Sequence, residues 1–349
     1  MSLAVSVIIP LFDIEEYIFQ CLESLRKQTL SQDFFEVIAV DDVSTDKTLE
    51  IVQNFHHLKN LKVITSAVNQ GPGIARNKGI KAAEGKYIIF LDGDDWLENG
   101  ALTALYQNME EAPDSIVYDW TYADDPAKTP RKRDFSYIAP EKKIFIQNYL
   151  GMDVSGDVIY TATQRKIFEK YGIAFQGGYH EDMAVIFKML YLSSTIKKLT
   201  SQVLYVKNNR PGSLVNTLTL KHIDGYLGSW PDIMRFLMTQ EGLGTKDYLH
   251  YYLRGINGLV YTLIYKSVHK TQADDLEERK KIYRYIFNAL RKDEFIESKK
   301  WEDFPRQTKK DIVAQEYYRL MSEGDFSDEA VLSFENKNLR TTPVEEIKL

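Results

Sequence analysis

The chain of 349 residues has a single cysteine, Cys21. That excludes an intramolecular disulfide and any zinc site built on several thiolates. Long apolar runs are missing as well. The longest nearly apolar stretch runs from Leu3 to Phe12, about half of the ~20 residues a membrane-crossing helix needs. A basic surplus is absent, since 44 Lys and Arg face 50 Asp and Glu for a net charge of −6. Nucleic-acid binding needs a basic face, so no nucleic-acid partner is expected. Gly85-Lys86 is followed by Tyr87, so there is no phosphate-binding P-loop. Gly71-Pro-Gly73 is followed three residues on by Arg76 rather than glycine, and the dinucleotide fingerprint fails. The histidines at 56, 57, 180, 222, 250 and 269 show no metal-ligand spacing. Ser2-Leu3 leads straight into strand-like residues without a leader pattern, so a soluble cytoplasmic chain is expected.

What is present is a 44% hydrophobic, 27% charged sequence, ordinary for a globular fold. Val5 to Ile9 is a continuous apolar run, as in a strand buried on both faces. Residues 14–28 then switch to helical spacing, with Ile14, Ile18, Cys21, Leu22 and Leu25 on one face, which makes Cys21 a core residue. Strands are expected at 35–40, 61–65 and 87–91, with helices at 45–55 and 73–83 between them. Strand and helix in alternation mean βαβ units and a mostly parallel sheet. Residues 121–143, with Pro126, Pro130, Pro140 and the basic run Arg131-Lys132-Arg133 near Lys128, read as a long surface loop. Helical pieces are expected near 141–150, 163–171 and 181–192, and short strands near 158–162 and 203–207. After Arg210-Pro-Gly212 the composition becomes Tyr-, Leu- and Lys-rich at helical spacing. The expected division is therefore an α/β catalytic domain over 1–215, a mainly α-helical region over 216–323, and a polar, partly disordered tail over 324–349.

Three segments carry chemistry. Phe90-Leu-Asp92-Gly93-Asp94-Asp95 ends a hydrophobic strand in three carboxylates. Such a cluster is costly unless a cation joins it, and hard divalent ions take carboxylate oxygens while leaving positions for phosphate. Ligands of open parallel sheets bind just beyond the carboxyl ends of strands. Asp41-Asp42-Val-Ser44-Thr-Asp46 also follows a strand, either as a helix cap or as an acceptor for a base or ribose. Gly73-Ile-Ala-Arg76-Asn77-Lys-Gly79 sets an arginine one turn into a helix, where it could meet a nucleotide.

Taken in order and spacing, these segments resemble the family 2 glycosyltransferases of GT-A fold. So do Val5-Ser-Val-Ile-Ile-Pro10-Leu-Phe12-Asp-Ile-Glu15, His180-Glu181-Asp182 and Asn209-Arg210-Pro-Gly-Ser213, and the family includes bacterial enzymes that build cell-surface polysaccharide and teichoic acid. The resemblance covers roughly residues 3–215. It implies an inverting transfer of a hexosyl or N-acetylhexosaminyl unit from a nucleotide-sugar donor, UDP-linked by family habit, to a glycan or lipid-linked acceptor. Pro10, Phe12 and Glu15 would lie along the nucleoside, Asp42 would accept from the base N–H, and Arg76 would clamp the base. Asp92, Gly93 and Asp94 would form the DxD motif, with Asp92 and Asp94 holding Mn²⁺ or Mg²⁺ against the diphosphate. Asp182 would be the catalytic base, oriented by Glu181 next to His180, and Arg210 and Ser213 would close over the diphosphate.

Phe12-Asp13 stands where members commonly have Tyr-Asn, and Asp13 adds a charge to a crowded site. Val43 replaces a commoner glycine, with little consequence expected for chemistry. A sugar-phosphate nucleotidyltransferase would need a glycine-rich loop after the first strand, where Pro10 to Glu15 stands. An inactive glycosyltransferase-like scaffold is the other alternative. The C-terminal helical region is open to acceptor selection, homo-oligomer formation or peripheral association with the inner membrane face.

Overall fold

The computed structural model describes residues 3–125, 127, 129–130, 135, 138, 141–150, 157–208, 218–241, 245–270, 275–291, 297, 299, 301–323 and 326–340. Lys128, the Arg131–Arg133 run, Arg210 and Ser213 lie outside them. The chain divides into two compact units. One comprises Met1–Ile138 and Gly156–Arg210, the other Ala139–Ser155 and Pro211–Leu349.

The first unit is built on β1 (Val5–Leu11), β2 (Phe35–Asp41), β3 (Leu61–Thr65), β4 (Tyr87–Phe90), β5 (Trp96–Leu97), β6 (Ser115–Tyr122), β7 (Thr161–Gln164) and β8 (Ile196–Lys207), in the order β3-β2-β1-β4-β7-β6-β8-β5. Strand β1 is central, parallel to β2 and β4, and nearly all of it is buried, which is why its sequence is an unbroken apolar run. Parallel pairing extends through β3. The direction then reverses, because β7 is antiparallel to β4 and β6 is antiparallel to β7. Strand β8 runs parallel to β6, with register shifts on either side of Asp119, and antiparallel to β5. The expected parallel sheet is thus the β3-β2-β1-β4 half of a mixed sheet.

Helices α1 (Ile18–Arg26), α2 (Thr48–Gln53), α3 (Pro72–Ala82) and α4 (Ala101–Gln107) connect the early strands. Ile18, Cys21, Leu22 and Leu25 are the buried face of α1, as their spacing predicts. Helix α6 (Arg165–Tyr171) follows β7, and α7 (Asp182–Leu192) precedes β8.

The second unit is helical, and α5 (Lys142–Leu150) belongs to it although the chain reaches α5 before β7. It also contains α8 (Leu220–Glu241), α9 (Thr245–Lys270), α10 (Leu276–Leu290), α11 (Lys309–Ser322) and α12 (Asp328–Asn338). Helix α9 is its centre, packed by α5, α8, α10 and α11. Tyr251, Tyr261 and Tyr265 of α9 are buried, so these tyrosines are core. Residues 328–338, expected within a polar tail, form α12 instead. The Ser327 hydroxyl caps its first turn, Val331 and Phe334 are buried, and Glu335 meets Arg279 of α10. No helix among the described residues is long and apolar enough to cross a membrane.

Candidate active site

The carboxyl ends of β1, β2 and β4 lie side by side, and the loops that follow them hold one another. Asp41 turns its carboxylate back to accept from the backbone N–H groups of Val43 and Ser44. That closed turn holds Val43 at φ 68°, a left-handed conformation costly for a β-branched residue. The valine in place of glycine therefore has a conformational consequence. Asp13 accepts from the amides of Thr45 (2.6 Å) and Asp46 (3.3 Å), so its charge goes to the β2–α2 turn. Glu15 accepts from the Lys47 amide at 2.8 Å, and its own N–H donates to Asp46. One oxygen of the Glu15 carboxylate, expected along the nucleoside, thus orders the neighbouring loop. Phe12 is 47% exposed, and Pro10 sits opposite Val40 one residue before β1 ends. Asp42 is buried, and its Oδ2 accepts from Gln70 N (2.8 Å) and Gly71 N (2.6 Å). Its Oδ1 is buried without a hydrogen-bond partner, an acceptor left open.

At the end of β4 the three carboxylates have different surroundings. Asp95 is committed to the fold, with Oδ2 accepting from Tyr205 Oη (2.5 Å) and Oδ1 from Asn208 N (2.7 Å). Burial, then Asp94 and Asp92, push its carboxyl well above the usual range, against the opposing charge of Lys207. Asp92 Oδ1 receives Arg76 Nη2 at 2.7 Å, and the Asp92 amide donates to Tyr205 Oη at 3.2 Å. Gly93 between them is tight, since a Cβ there would collide with Ile14. Beneath this turn lies the buried Cys21, whose thiol burial and the three aspartates hold protonated.

Arg76 joins two of the expected motifs. One guanidinium nitrogen pairs with Asp92 and another with Glu181, with the group 5.4 Å from the centre of the Phe175 ring. Burial opposes its charge, but Asp92, Glu181 and Asp182 outweigh it and keep it protonated. It was expected to clamp the base; here it ties the DxD turn to the N-terminus of α7. Asn77 pins the same segment by exchanging two 2.8 Å hydrogen bonds with the backbone of Phe175. Gly73 allows this approach, because a Cβ would run into the Gln176 carbonyl and the Glu181 side chain.

His180 turns the chain at φ 55°. Glu181 is the N-cap residue and Asp182 the first residue of α7. Burial, then Glu181 and Asp157, raise the Asp182 carboxyl well above the usual carboxylate range, with Arg76 opposing. Glu181 is occupied by Arg76, which leaves Asp182 as the carboxylate of the pair suited to accept a proton.

No group of three or more His, Cys, Asp or Glu is placed to hold a metal by itself among the described residues. Asp92 Oδ2 has no hydrogen bond among them and Asp94 is two residues away. Two hard oxygen donors of this kind fit a divalent ion that completes its shell with phosphate and water. Sequence reasoning missed Tyr205 and Phe175, which contact the site from β8 and from the loop before α7, and Lys207, two residues beyond Tyr205 on β8. Their segments carry no repeating pattern, and only the fold brings them here.

Residues 6–172 match glycosyl transferase family 2. The chain is 28% identical over 243 residues to the poly(ribitol-phosphate) beta-N-acetylglucosaminyltransferase TarS of Staphylococcus aureus. That match takes in 67% of this chain and 40% of TarS, so the chain spans well under half of that relative. The crystal structure of S. aureus TarS 1–349 in complex with UDP-GlcNAc superposes with a TM-score of 0.64 at 20% identity, covering 93% of this chain and 95% of that one. A mannosyltransferase from Pyrobaculum calidifontis, in complex with GDP-Man and Mn²⁺, has a TM-score of 0.50 at 15% identity and covers 94% of this chain and 89% of that one. These likenesses establish the GT-A fold, and the match to glycosyl transferase family 2 is confined to residues 6–172.

Proposed function

We propose that the protein is an inverting, metal-dependent glycosyltransferase. It would move a hexosyl or N-acetylhexosaminyl unit from a nucleoside-diphosphate sugar to a hydroxyl of a glycan or lipid-linked acceptor in cell-surface polysaccharide synthesis. The observation that carries this reading is Arg76, which bridges Asp92 and Glu181 and so sets a metal-capable turn beside a raised carboxyl, Asp182. TarS, acting on poly(ribitol phosphate), supports an acceptor of the teichoic-acid kind. Work at the cytoplasmic side of the membrane follows from such a lipid-linked acceptor.

Asp42 Oδ1 would accept the N3–H of a uracil, with Phe12 and Pro10 along the nucleoside. Asp92 and Asp94 would hold Mn²⁺ or Mg²⁺. When bound, the ion neutralises charge on the departing diphosphate. Asp182 would take the acceptor hydroxyl proton as that oxygen bonds to the anomeric carbon. The bond from that carbon to the phosphate oxygen breaks, and the diphosphate leaves with the electron pair. Attack opposite the leaving group inverts the anomeric centre. Glu181, held by Arg76, would keep Asp182 in line, and Arg210 and Ser213 would close over the diphosphate.

The test is a screen of nucleotide sugars with Mn²⁺, reading release of nucleoside diphosphate and thermal stabilisation. UDP-GlcNAc and UDP-glucose are the expected donors. Failure of every donor and every nucleoside diphosphate would return the chain to the inactive-scaffold alternative.

A further inference from the structure

The leaving diphosphate carries charge, and two described cations stand near Asp92. Arg76 is already taken, with one guanidinium nitrogen on Asp92 and another on Glu181. Lys207 is not. It closes β8 opposite Tyr122 of β6, and its carbonyl accepts from the Ala123 amide at 2.9 Å. Two residues earlier on the same strand, Tyr205 reaches Asp95 and the Asp92 amide. Residues i and i+2 of a strand share a face, so Lys207 lies on the side that meets the DxD turn. The next residue, Asn208, donates its amide to Asp95. The Lys207 ammonium sits 5.8 Å from the centre of the Trp120 ring, and it makes no ion pair among the described residues. Burial opposes its charge, but Asp157, Asp95 and Asp92 hold it protonated. Lys207 is half-buried, and an ammonium with no ion pair among the described residues is open to a charge-assisted contact with a phosphate group.

Resting on the glycosyltransferase reading, we propose that Lys207 binds the β-phosphate of the donor and stabilises the leaving diphosphate. The competing role is purely structural, as a distant counter-charge for Asp95. The two roles separate by ligand. Calorimetry with uridine and UDP, each with Mn²⁺, would compare the wild type with Lys207→Met, Lys207→Gln and Lys207→Arg. Loss of one charge-assisted contact should weaken UDP roughly 10- to 100-fold in the Met and Gln variants. Uridine should bind them as it binds the wild type, and Arg should retain UDP affinity within about threefold. Lys207→Gln stands in if Lys207→Met does not fold. If neither neutral variant folds, Lys207 is structural and the proposal falls. It also falls if UDP affinity is unchanged in a neutral variant, or if uridine and UDP weaken together. In each of these cases a wild type that binds UDP leaves the glycosyltransferase reading standing. A wild type that binds no nucleoside diphosphate sinks both.

Discussion

The helical unit and the sheet edge both bury charge, and they treat it in opposite ways. In the helical unit Glu335 accepts Arg279 through both oxygens at 2.8 and 3.0 Å, along with Tyr283 Oη and Arg340. Asp311 is likewise filled by Arg254, Asn257 and Thr308. At the sheet edge Asp42 Oδ1 and Arg76 Nε are buried without partners, and Lys207 has no ion pair among the described residues. The charges of the helical unit are thus paired, although the neutral Asn257 Oδ1 beside Asp311 is left open, whereas unpaired atoms of charged groups at a strand edge are set for a ligand. Backbone strain also gathers around the site, where Asp13, Val43 and His180 adopt positive φ on loops, although Lys299 of the helical unit does so too.

The sharpest break of this comparison is Asp182→Asn. Loss of a general base should cut kcat by ~10²–10⁴ while UDP affinity stays near wild type. The carboxyl is raised in the folded protein, so folding favours its protonated form. That contribution is complete below the unfolded pKa and disappears as pH rises through the folded one. Asparagine has no charge to desolvate, so thermal stability at neutral pH should match or exceed wild type. The wild-type rate should fall on the acid side at a pH well above the ordinary ~4 of an aspartate. A variant that keeps more than about a tenth of the turnover would move the base to another group.

Glu335→Ala is the counterpart in the helical unit. It leaves Arg279 buried and uncompensated, which costs ~3–5 kcal/mol. Denaturant unfolding should show that loss, and a change under 1 kcal/mol would remove the distinction drawn between the two regions.

The parallel half of the sheet was legible because β1, β2 and β4 are buried on both faces and read as apolar runs. The site motifs were legible because strand-end carboxylates are conspicuous. Strand β6, Ser115–Tyr122, was not anticipated, since buried Asp119 and Thr121 interrupt its apolar pattern. Strand β8 was foreseen only at its end, because Lys197, Lys198 and Thr200 give its first half a polar surface. The place of α5 in the helical unit, far from that unit's other residues in sequence, has no local signature. Neither has the division of labour among Asp92, Asp94 and Asp95, which depends on Tyr205 from 110 residues away.

A smaller effect is expected for Asp42→Ala. Its open oxygen suits the N3–H of uracil and opposes the N3 lone pair of cytosine. The variant should bind UDP roughly 10- to 100-fold less well and lose any preference for UDP over CDP. Preserved discrimination in a titration of both nucleotides would place the base elsewhere.

The smallest effect is expected at Val43. The Asp41 carboxylate fixes the turn through the amides of Val43 and Ser44, and the valine is held at φ 68° with 37% of its surface exposed. Such a conformation costs of order 1–3 kcal/mol for a residue with a Cβ. Glycine adopts it freely, but loses ~0.5–1 kcal/mol more conformational entropy on folding. With so much of the side chain in water, little packing is forfeited. Relief of strain should win, and Val43→Gly should stabilise the first unit by about 1 kcal/mol in denaturant unfolding. Asp42 is the next residue back, so the same change loosens the backbone that aims its open oxygen. UDP should then bind a few-fold more weakly even as stability rises. A variant that loses stability would show that the valine contributes packing here that outweighs the strain.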